Sequence, residues 1–278
     1  MNEREDLPAR ALVKLGGNAV AGPGLAAIAH DIAALAKRGT ELVVVHGGGP
    51  QTSALQERLG QTPRQIAGRR VTDEAALDVL KMVVGGKLNI DTCAALVRAG
   101  ARPIGLSGAS SLVLEATRRP PAILRGGPPE PVDLGLVGDV VNVDVALLAL
   151  LMRSGHVPVL ACIGADAAGQ CFNINADTVA NRVAERLAVD ALVLVSDIAG
   201  VLRDVSDPAS RIARLTEAEA HAAIDTGAVT KGMIPKLEEA FSAIRAGVGR
   251  VHIVGSLREG ELARELASPG SLGTALVP

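Results

Sequence analysis

Aromatic side chains are almost missing from this chain: it has no Trp, no Tyr and two Phe in 278 residues. Base stacking and aromatic hot spots depend on those rings, so a nucleic-acid-binding or aromatic-docking module is disfavoured. The core has to be built from Ala, Val, Leu and Ile instead. A charge excess is missing as well. Lys and Arg number 28 against 30 Asp and Glu, a formal net charge of −2. That gives neither a basic stripe for nucleic acid nor a polybasic patch for a membrane. Long apolar runs are absent too. Stretches such as Val145 to Met152 fall far short of the roughly 20 residues a bilayer span needs. The charged N-terminus MNEREDLPAR carries no apolar h-region, so a cytoplasmic chain is expected. Cys93, Cys162 and Cys171 are odd in number, share no metal-ligand spacing and sit in apolar contexts. They read as small core residues in a reducing compartment. His30, His46, His156, His221 and His252 form no HxxxH pair, so no metal-ligating residue is assigned.

What the chain does contain is a rhythm. Short β-branched runs read as buried strands: Ala11–Leu15, Glu41–His46, Pro103–Leu106, Val157–Cys162, Ala191–Ser196 and Arg250–Val254. Between them lie Ala-rich stretches with helical spacing: 24–38, 51–59, 73–85, 89–99, 143–154, 176–187, 217–224 and 234–246. Strand–helix alternation with buried strands predicts an α/β sandwich on a mostly parallel sheet. Residues 111–141 break the rhythm with Pro and Gly clusters and read as an antiparallel hairpin excursion. A lobe boundary is expected near Ala184 to Asp190, giving lobes over 1–185 and 186–278.

Three glycine-rich turns each follow a strand: Gly16-Gly17, Gly47-Gly48-Gly49 and Ser107-Gly108. Such turns at strand C-termini let backbone N–H groups approach phosphoryl oxygens, although any one of them is as readily a tight turn. No GxxxxGK[ST] loop is present, and no GxGxxG follows the first strand, which disfavours P-loop ATPases and dinucleotide enzymes. Lys14 lies in an apolar strand, where an ammonium is costly unless an anion meets it. Lys236 opens a helix, where a solvated lysine is common. Asn173 and Asn175 alternate before the helix at 176–187, and Asp177 falls in its first turn; one of the three suffices as a cap, so the others need a reason. In Gly68-Arg69-Arg70-Val71-Thr72-Asp73, Thr72 or Asp73 can cap the next helix, which leaves two arginines unexplained. One of them could hold a carboxylate through bidentate hydrogen bonds.

In this order, LVKLGGNAV (12–20), VVVHGGGPQ (43–51), AGRRVTDEAALDVLKMVVGGKLN (67–89), GLSG (105–108), FNINADTVANRVAERL (172–187), LVLVSDIAGVL (192–202) and TKGMIPK (230–236) resemble the amino acid kinase family across nearly the whole chain. The resemblance implies a three-layer α/β/α sandwich with two lobes. The first would bind an acyl amino acid and the second ATP, with Mg²⁺ arriving on the nucleotide phosphates. The implied acceptor is the γ-carboxylate of N-acetyl-L-glutamate, in arginine biosynthesis. Lys14 and Lys236 are similar to the family's two catalytic lysines, and Asp177 to the carboxylate that orients both. Gly16, Gly17, Gly48 and Gly49 match the phosphoryl-facing glycines, with Gly48 and Gly49 also at the substrate. Arg70 resembles the arginine on the substrate α-carboxylate, with Asn173 and Asn175 beside it, and Ser196 and Asp197 fall in the nucleotide-side loop. Two other readings stay open: a kinase for an acyl-aminoadipate on a carrier protein, and a non-catalytic nucleotide-binding regulatory module. Only Met1 to Arg10 precede the first strand, too few for the N-terminal helix the resemblance links to hexamers and arginine sensing. A homodimer without arginine feedback is therefore expected.

Overall fold

The computed structural model describes residues 7–204, 206–226, 229 and 233–278. Thr230, Lys231 and Gly232 of the TKGMIPK run lie outside the described residues. From the N-terminus, β1 (Arg10–Leu15) leads through α1 (Gly17–Ala21) and α2 (Leu25–Lys37) to β2 (Glu41–His46) and α3 (Gly49–Arg58). A small ribbon of β3 (Gln65–Ile66) and β4 (Arg69–Arg70) precedes α4 (Glu74–Leu80), a π-helical segment over Lys81–Leu88, and α5 (Asn89–Arg98). Next come β5 (Pro103–Leu106), β6 (Leu114–Arg118), β7 (Gly138–Val143), α6 (Val145–Arg153), β8 (Val157–Ala161), β9 (Ile163–Ala165), β10 (Cys171–Asn173) and α7 (Ala176–Leu187). The rest is β11 (Ala191–Val195), β12 (Arg214–Thr216), α8 (Glu217–Asp225), α9 (Ile234–Arg245), β13 (Val251–Val254), α10 (Glu261–Ala267) and β14 (Thr274–Val277).

The expected sheet is present. Eight strands run in the order β12-β14-β13-β11-β1-β2-β8-β5, parallel except for the β13–β14 pair. β1, β2, β8 and β11 are buried along nearly their whole length, because helices cover both faces. α2 packs on α5 and α10 over one face, and α7 packs on α6 and α9 over the other. The four strands on one side of the β1–β11 seam, β1, β2, β8 and β5, come from before residue 186, and the other four, β11, β13, β14 and β12, come from after it. β1 pairs with β2 on one side and with β11 on the other, so the strand order reverses there, with the earlier strands beyond β2 and the later ones beyond β11. That is a topological switch point, where open α/β sheets bind ligands at the strand C-termini.

Two expectations need correction. The helix expected over 73–85 ends at Leu80 and continues as a π-helical turn through Leu88. Gly85 and Gly86 hold a regular helix poorly, and π-helical turns occur mostly as single bulges in longer helices. The excursion over 111–141 does supply the antiparallel pair β6–β7, but β9 and β10 join it in a separate four-stranded sheet. Their three residues each are too short for an alternation signal.

Buried polar groups tie the pieces together. Asp31 on α2 accepts from the backbone N–H groups of Gly260 and Leu262 at 2.7 and 2.9 Å, capping α10 from a neighbouring helix. Glu265, fully buried, turns the chain from α10 into β14. Its oxygens accept from Gly270 N, Leu272 N and Gly273 N and from His252 Nδ1 at 2.8 Å. His252 Nε2 in turn accepts from Arg250 Nε at 3.1 Å. Burial alone would raise the Glu265 pKa, but His252 and the backbone donors outweigh it and hold it at about 2. The folded value lies below the ordinary one, so the stabilisation is complete above about 4.5, the ordinary value, and is lost as pH falls toward about 2. Glu265→Gln should cost about 3–5 kcal/mol at neutral pH and flatten the acid limb of stability. Urea unfolding checks both, and a loss under about 1 kcal/mol would contradict this account.

Candidate active site

A cavity of about 650 Å³ opens at the C-terminal ends of β1 and β2. Lys14, on β1, is buried, with 7% of its side chain exposed, and its Nζ lies 2.7 Å from Asp177 Oδ1. Asp177 sits in the first turn of α7, which Asn175 caps by accepting from Asp177 N and Thr178 N at 2.7 and 3.3 Å. The cap therefore fixes the carboxylate that meets the lysine. Lys236, in the first turn of α9, faces the same cavity from beyond the seam.

The three charges are mutually dependent. Burial opposes ionisation of Asp177, but the Lys14 and Lys236 ammoniums and the Lys14 hydrogen bond prevail and lower its pKa. Burial lowers the Lys236 pKa most. The like charge of Lys14 adds to that, while Asp177, and more weakly Glu239 and Asp197, oppose it. Cys162 also lines the cavity, and burial pushes its thiol up to about 11, so it is an inert neighbour.

The glycine turns crowd the other wall. A Cβ on Gly17 would lie 2.7 Å from Pro50 Cδ, and one on Gly48 would lie 2.4 Å from Leu88 Cδ1. Gly48 is thus required by the π-helical segment packed against it. Gly49 has open space above it. Gly16 donates to Val195 O at 3.0 Å and Gly47 to Leu15 O at 3.0 Å, which binds both turns to β1 and its neighbour. Behind them His46 is fully buried. Its Nδ1 donates to Gly47 O and its Nε2 accepts from Asn89 Nδ2, both at 3.0 Å. Burial lowers its pKa, against the backbone bond to Gly47, so the ring is a neutral prop for the turn.

Arg70 reaches the cavity already engaged with α3. It donates to Gln56 Oε1 at 2.6 Å, Gly49 O at 2.9 Å and Ser53 Oγ at 2.6 Å. Asn173 donates from Nδ2 to Thr72 Oγ1 at 3.0 Å, and Asp73 supplies the α4 cap by accepting from Ala76 N. The expected residues Lys14, Gly16, Gly17, Gly48, Gly49, Arg70, Asn173, Asn175, Asp177 and Lys236 all line this one cavity. Ser196 and Asp197 do not. They lie at the end of β11, where Asp197 Oδ2 accepts from Asn18 Nδ2 at 2.8 Å. Gly108 is also outside the cavity: its N–H bonds Ile163 O at 2.7 Å, and a Cβ there would sit 2.4 Å from that oxygen. Close packing on β9 explains that glycine. Sequence reasoning missed Arg119 and Glu239, which also line the cavity, because Arg119 lies in the irregular excursion and Glu239 is one polar position of an ordinary amphipathic helix. Among the described residues, no group of three or more His, Cys, Asp or Glu could hold a metal ion.

A model of the amino acid kinase family matches residues 9–255. An acetylglutamate kinase of Sorangium cellulosum is 62% identical, over 96% of this chain and 94% of its own length. One of Anaeromyxobacter dehalogenans is 53% identical, over 96% and 98%. Among solved structures, N-acetylglutamate synthase from Neisseria gonorrhoeae with coenzyme A and N-acetyl-glutamate superposes with TM-score 0.80 at 25% identity, over 99% of this chain and 61% of that one. Carbamate kinase from Giardia lamblia bound to AMP-PNP shares the fold alone, with TM-score 0.66 at 16% identity over 96% and 98%.

Two ammoniums and one carboxylate suit a dianion that arrives between them. Lys14→Ala and Lys236→Ala should each lower kcat by about 3–4 kcal/mol in barrier, roughly a hundred- to thousand-fold, with smaller KM changes. Asp177→Asn should follow them by misorienting both. Steady-state kinetics on folded variants checks this, and near-normal turnover in either lysine variant would remove the mechanism.

Proposed function

The chain belongs to the amino acid kinase family, and we infer that it transfers the γ-phosphoryl group of ATP to the γ-carboxylate of N-acetyl-L-glutamate, a step of arginine biosynthesis. Identity of 62% to an acetylglutamate kinase over nearly the full length of both chains supports the acceptor. The observation that carries the chemistry is the Lys14–Asp177 pair facing Lys236 across the β1–β11 seam.

The acceptor carboxylate is ionised at neutral pH, so no general base is needed, and His46 serves as a prop. One carboxylate oxygen bonds to the γ-phosphorus while the bond to the bridging oxygen breaks, and that electron pair leaves with ADP. Charge spreads over the transferred oxygens. Lys14 and Lys236 would neutralise it, with Gly17, Gly48 and Gly49 N–H groups as fixed donors. Asp177 would keep the lysines apart and aimed. Arg70, braced by α3, would take the acceptor α-carboxylate, with Asn173 and Asn175 alongside. Gly16, Ser196 and Asp197 would border the nucleotide. The carboxylates near the transfer point do not suit a metal held by protein alone, since Asp177 is engaged by Lys14. Mg²⁺ is therefore proposed to arrive on the nucleotide phosphates, its usual mode. The clean division of strands about the seam supports lobes over 1–185 and 186–278.

No helix among the described residues is long and apolar enough to cross a membrane. ATP as substrate and three free cysteines support a cytoplasmic enzyme. A homodimer is also proposed. Ile90 and Val97 lie seven residues apart on α5, 66% and 61% exposed, and β5 next to that helix ends the sheet. Light scattering should give twice the chain mass; a monomer or hexamer would refute it.

A coupled ADP-release assay should show the highest kcat/KM with N-acetylglutamate, against aspartate, glutamate and N-acetylaminoadipate. Arg70→Ala should then raise the acceptor KM by about 2–3 kcal/mol, roughly 30- to 150-fold, with the ATP KM near its original value. Equal turnover of glutamate, or a change confined to the ATP KM, would overturn the assignment.

A further inference from the structure

A cleft that receives two anions should carry no unneutralised acid. Five cationic side chains line this one, Lys14, Arg69, Arg70, Arg119 and Lys236, with two carboxylates, Asp177 and Glu239. Most are engaged. Lys14 holds Asp177 at 2.7 Å, Arg119 holds Asp139 at 2.5 Å, and Arg70 donates to three acceptors on α3. Glu239 receives only a 3.5 Å bond from Asn181 Nδ2, and no ion pair joins it among the described residues. The Arg69 side chain makes no hydrogen bond or ion pair among them either.

We propose that Glu239 and Arg69 are positioning residues that form an ion pair across the mouth of the cleft in the reacting complex, joining α9 to the β3–β4 ribbon. The proposal rests on the kinase reading above, since it is the arrival of anions that makes a lone carboxylate unfavourable. The ribbon is suited to the part. Its strands are two residues long, with Gln65 opposite Arg70 and Ile66 opposite Arg69, and they pair only with each other. Ala67 and Gly68 turn it with φ of 49° and 74°. Arg70 braces one position of β4 against α3, which leaves Arg69 to reach across. Partial desolvation and then Asp177 raise the Glu239 pKa, and Arg69 is the foremost cation opposing them, ahead of Lys236 and Arg119. Lys236, one turn earlier on the same helix, would lose its aim at the phosphoryl group if it served Glu239 instead. The Arg69 pairing leaves Lys236 free and removes a repulsive charge.

The test is a double-mutant cycle on Arg69→Gln and Glu239→Gln, with Arg69→Lys as the conservative variant. Each glutamine variant should raise the acceptor KM roughly ten-fold with a smaller change in kcat, and the double variant should be no worse than either single one. Arg69→Lys should retain most of the function. Hydrogen exchange with a non-hydrolysable ATP analogue supplies a second readout: amides 65–70 should be slowed in the wild-type chain and not in either glutamine variant. Multiplying effects in the double variant, an effect of one residue alone, or unchanged ribbon protection would each overturn the pair. If the wild-type chain turned over a different carboxylate, the acceptor assignment would fall, while the cycle on that substrate and the exchange readout would still decide the pair.

Discussion

An ammonium held inside a sheet that is buried on both faces is the constraint on which the rest of this structure depends. Lys14 occupies the penultimate position of β1 with almost no access to water, and removing one partner of such a pair costs about 3–5 kcal/mol. Asp177 has to be where it is, so the α7 N-terminus has to point at β1, and Asn175 has to cap it there. The helix start adds its own preference for a negative side chain. A strand, a cap and a helix dipole thus converge on one carboxylate. The charge left over from this arrangement, on Lys236 and the arginines, is what remains for anionic substrates.

Much of this was legible in the sequence because it rests on residue types that are expensive out of context. A lysine in an apolar strand, glycines at strand ends and three alternating Asn/Asp residues each demand a partner, and the fold brings their partners together. The β-branched runs located β1, β2, β5, β8, β11 and β13 within one residue, since strands covered on both faces leave an unbroken apolar signal. The glycine turn at Gly48, which lines the cavity, was readable as a turn at a strand end. The reason no other residue fits there was not, because Leu88 and Val84 approach it from a π-helical turn 36 or more positions later.

What stayed hidden has a common physical cause: the relevant forces act between residues distant in the chain and local propensity does not record them. Arg119 and Glu239 enter the cavity from a strand end and an ordinary amphipathic helix. His252, one of five scattered histidines, finds its role only through Glu265 on a later helix. Strands β9 and β10 are too short to show a period, and Gly108 looked like a phosphate turn until β9 was placed against it. The two arginines of GRRVT did need a reason each. The structure engages them differently: one is braced by α3, and the other's side chain has no partner among the described residues.

The seam between β1 and β11 gives these details a shared consequence. Lys14 belongs to strands from the first part of the chain and Lys236 to a helix of the second, and their like charges resist approach. At Lys236 the attraction of Asp177 outweighs the repulsion from Lys14, and burial is the main reason its pKa is lowered. In the proposed mechanism a dianionic phosphoryl group between them would add to the Asp177 attraction and offset the burial that disfavours the Lys236 ammonium. The Gly16 and Gly47 turns are fixed to β1 and its neighbour, so in the proposed mechanism a phosphoryl group would be met by rigid donors on one side and by Lys236 on the other. In that mechanism the two ammoniums would act on the charge that spreads over the transferred oxygens, which is the interaction that favours the transition state over the bound substrates. The proposed pair extends this to the mouth of the cleft: an acid that is tolerable beside water becomes unfavourable beside phosphate, and Arg69, a cation lining the same cavity, would answer it.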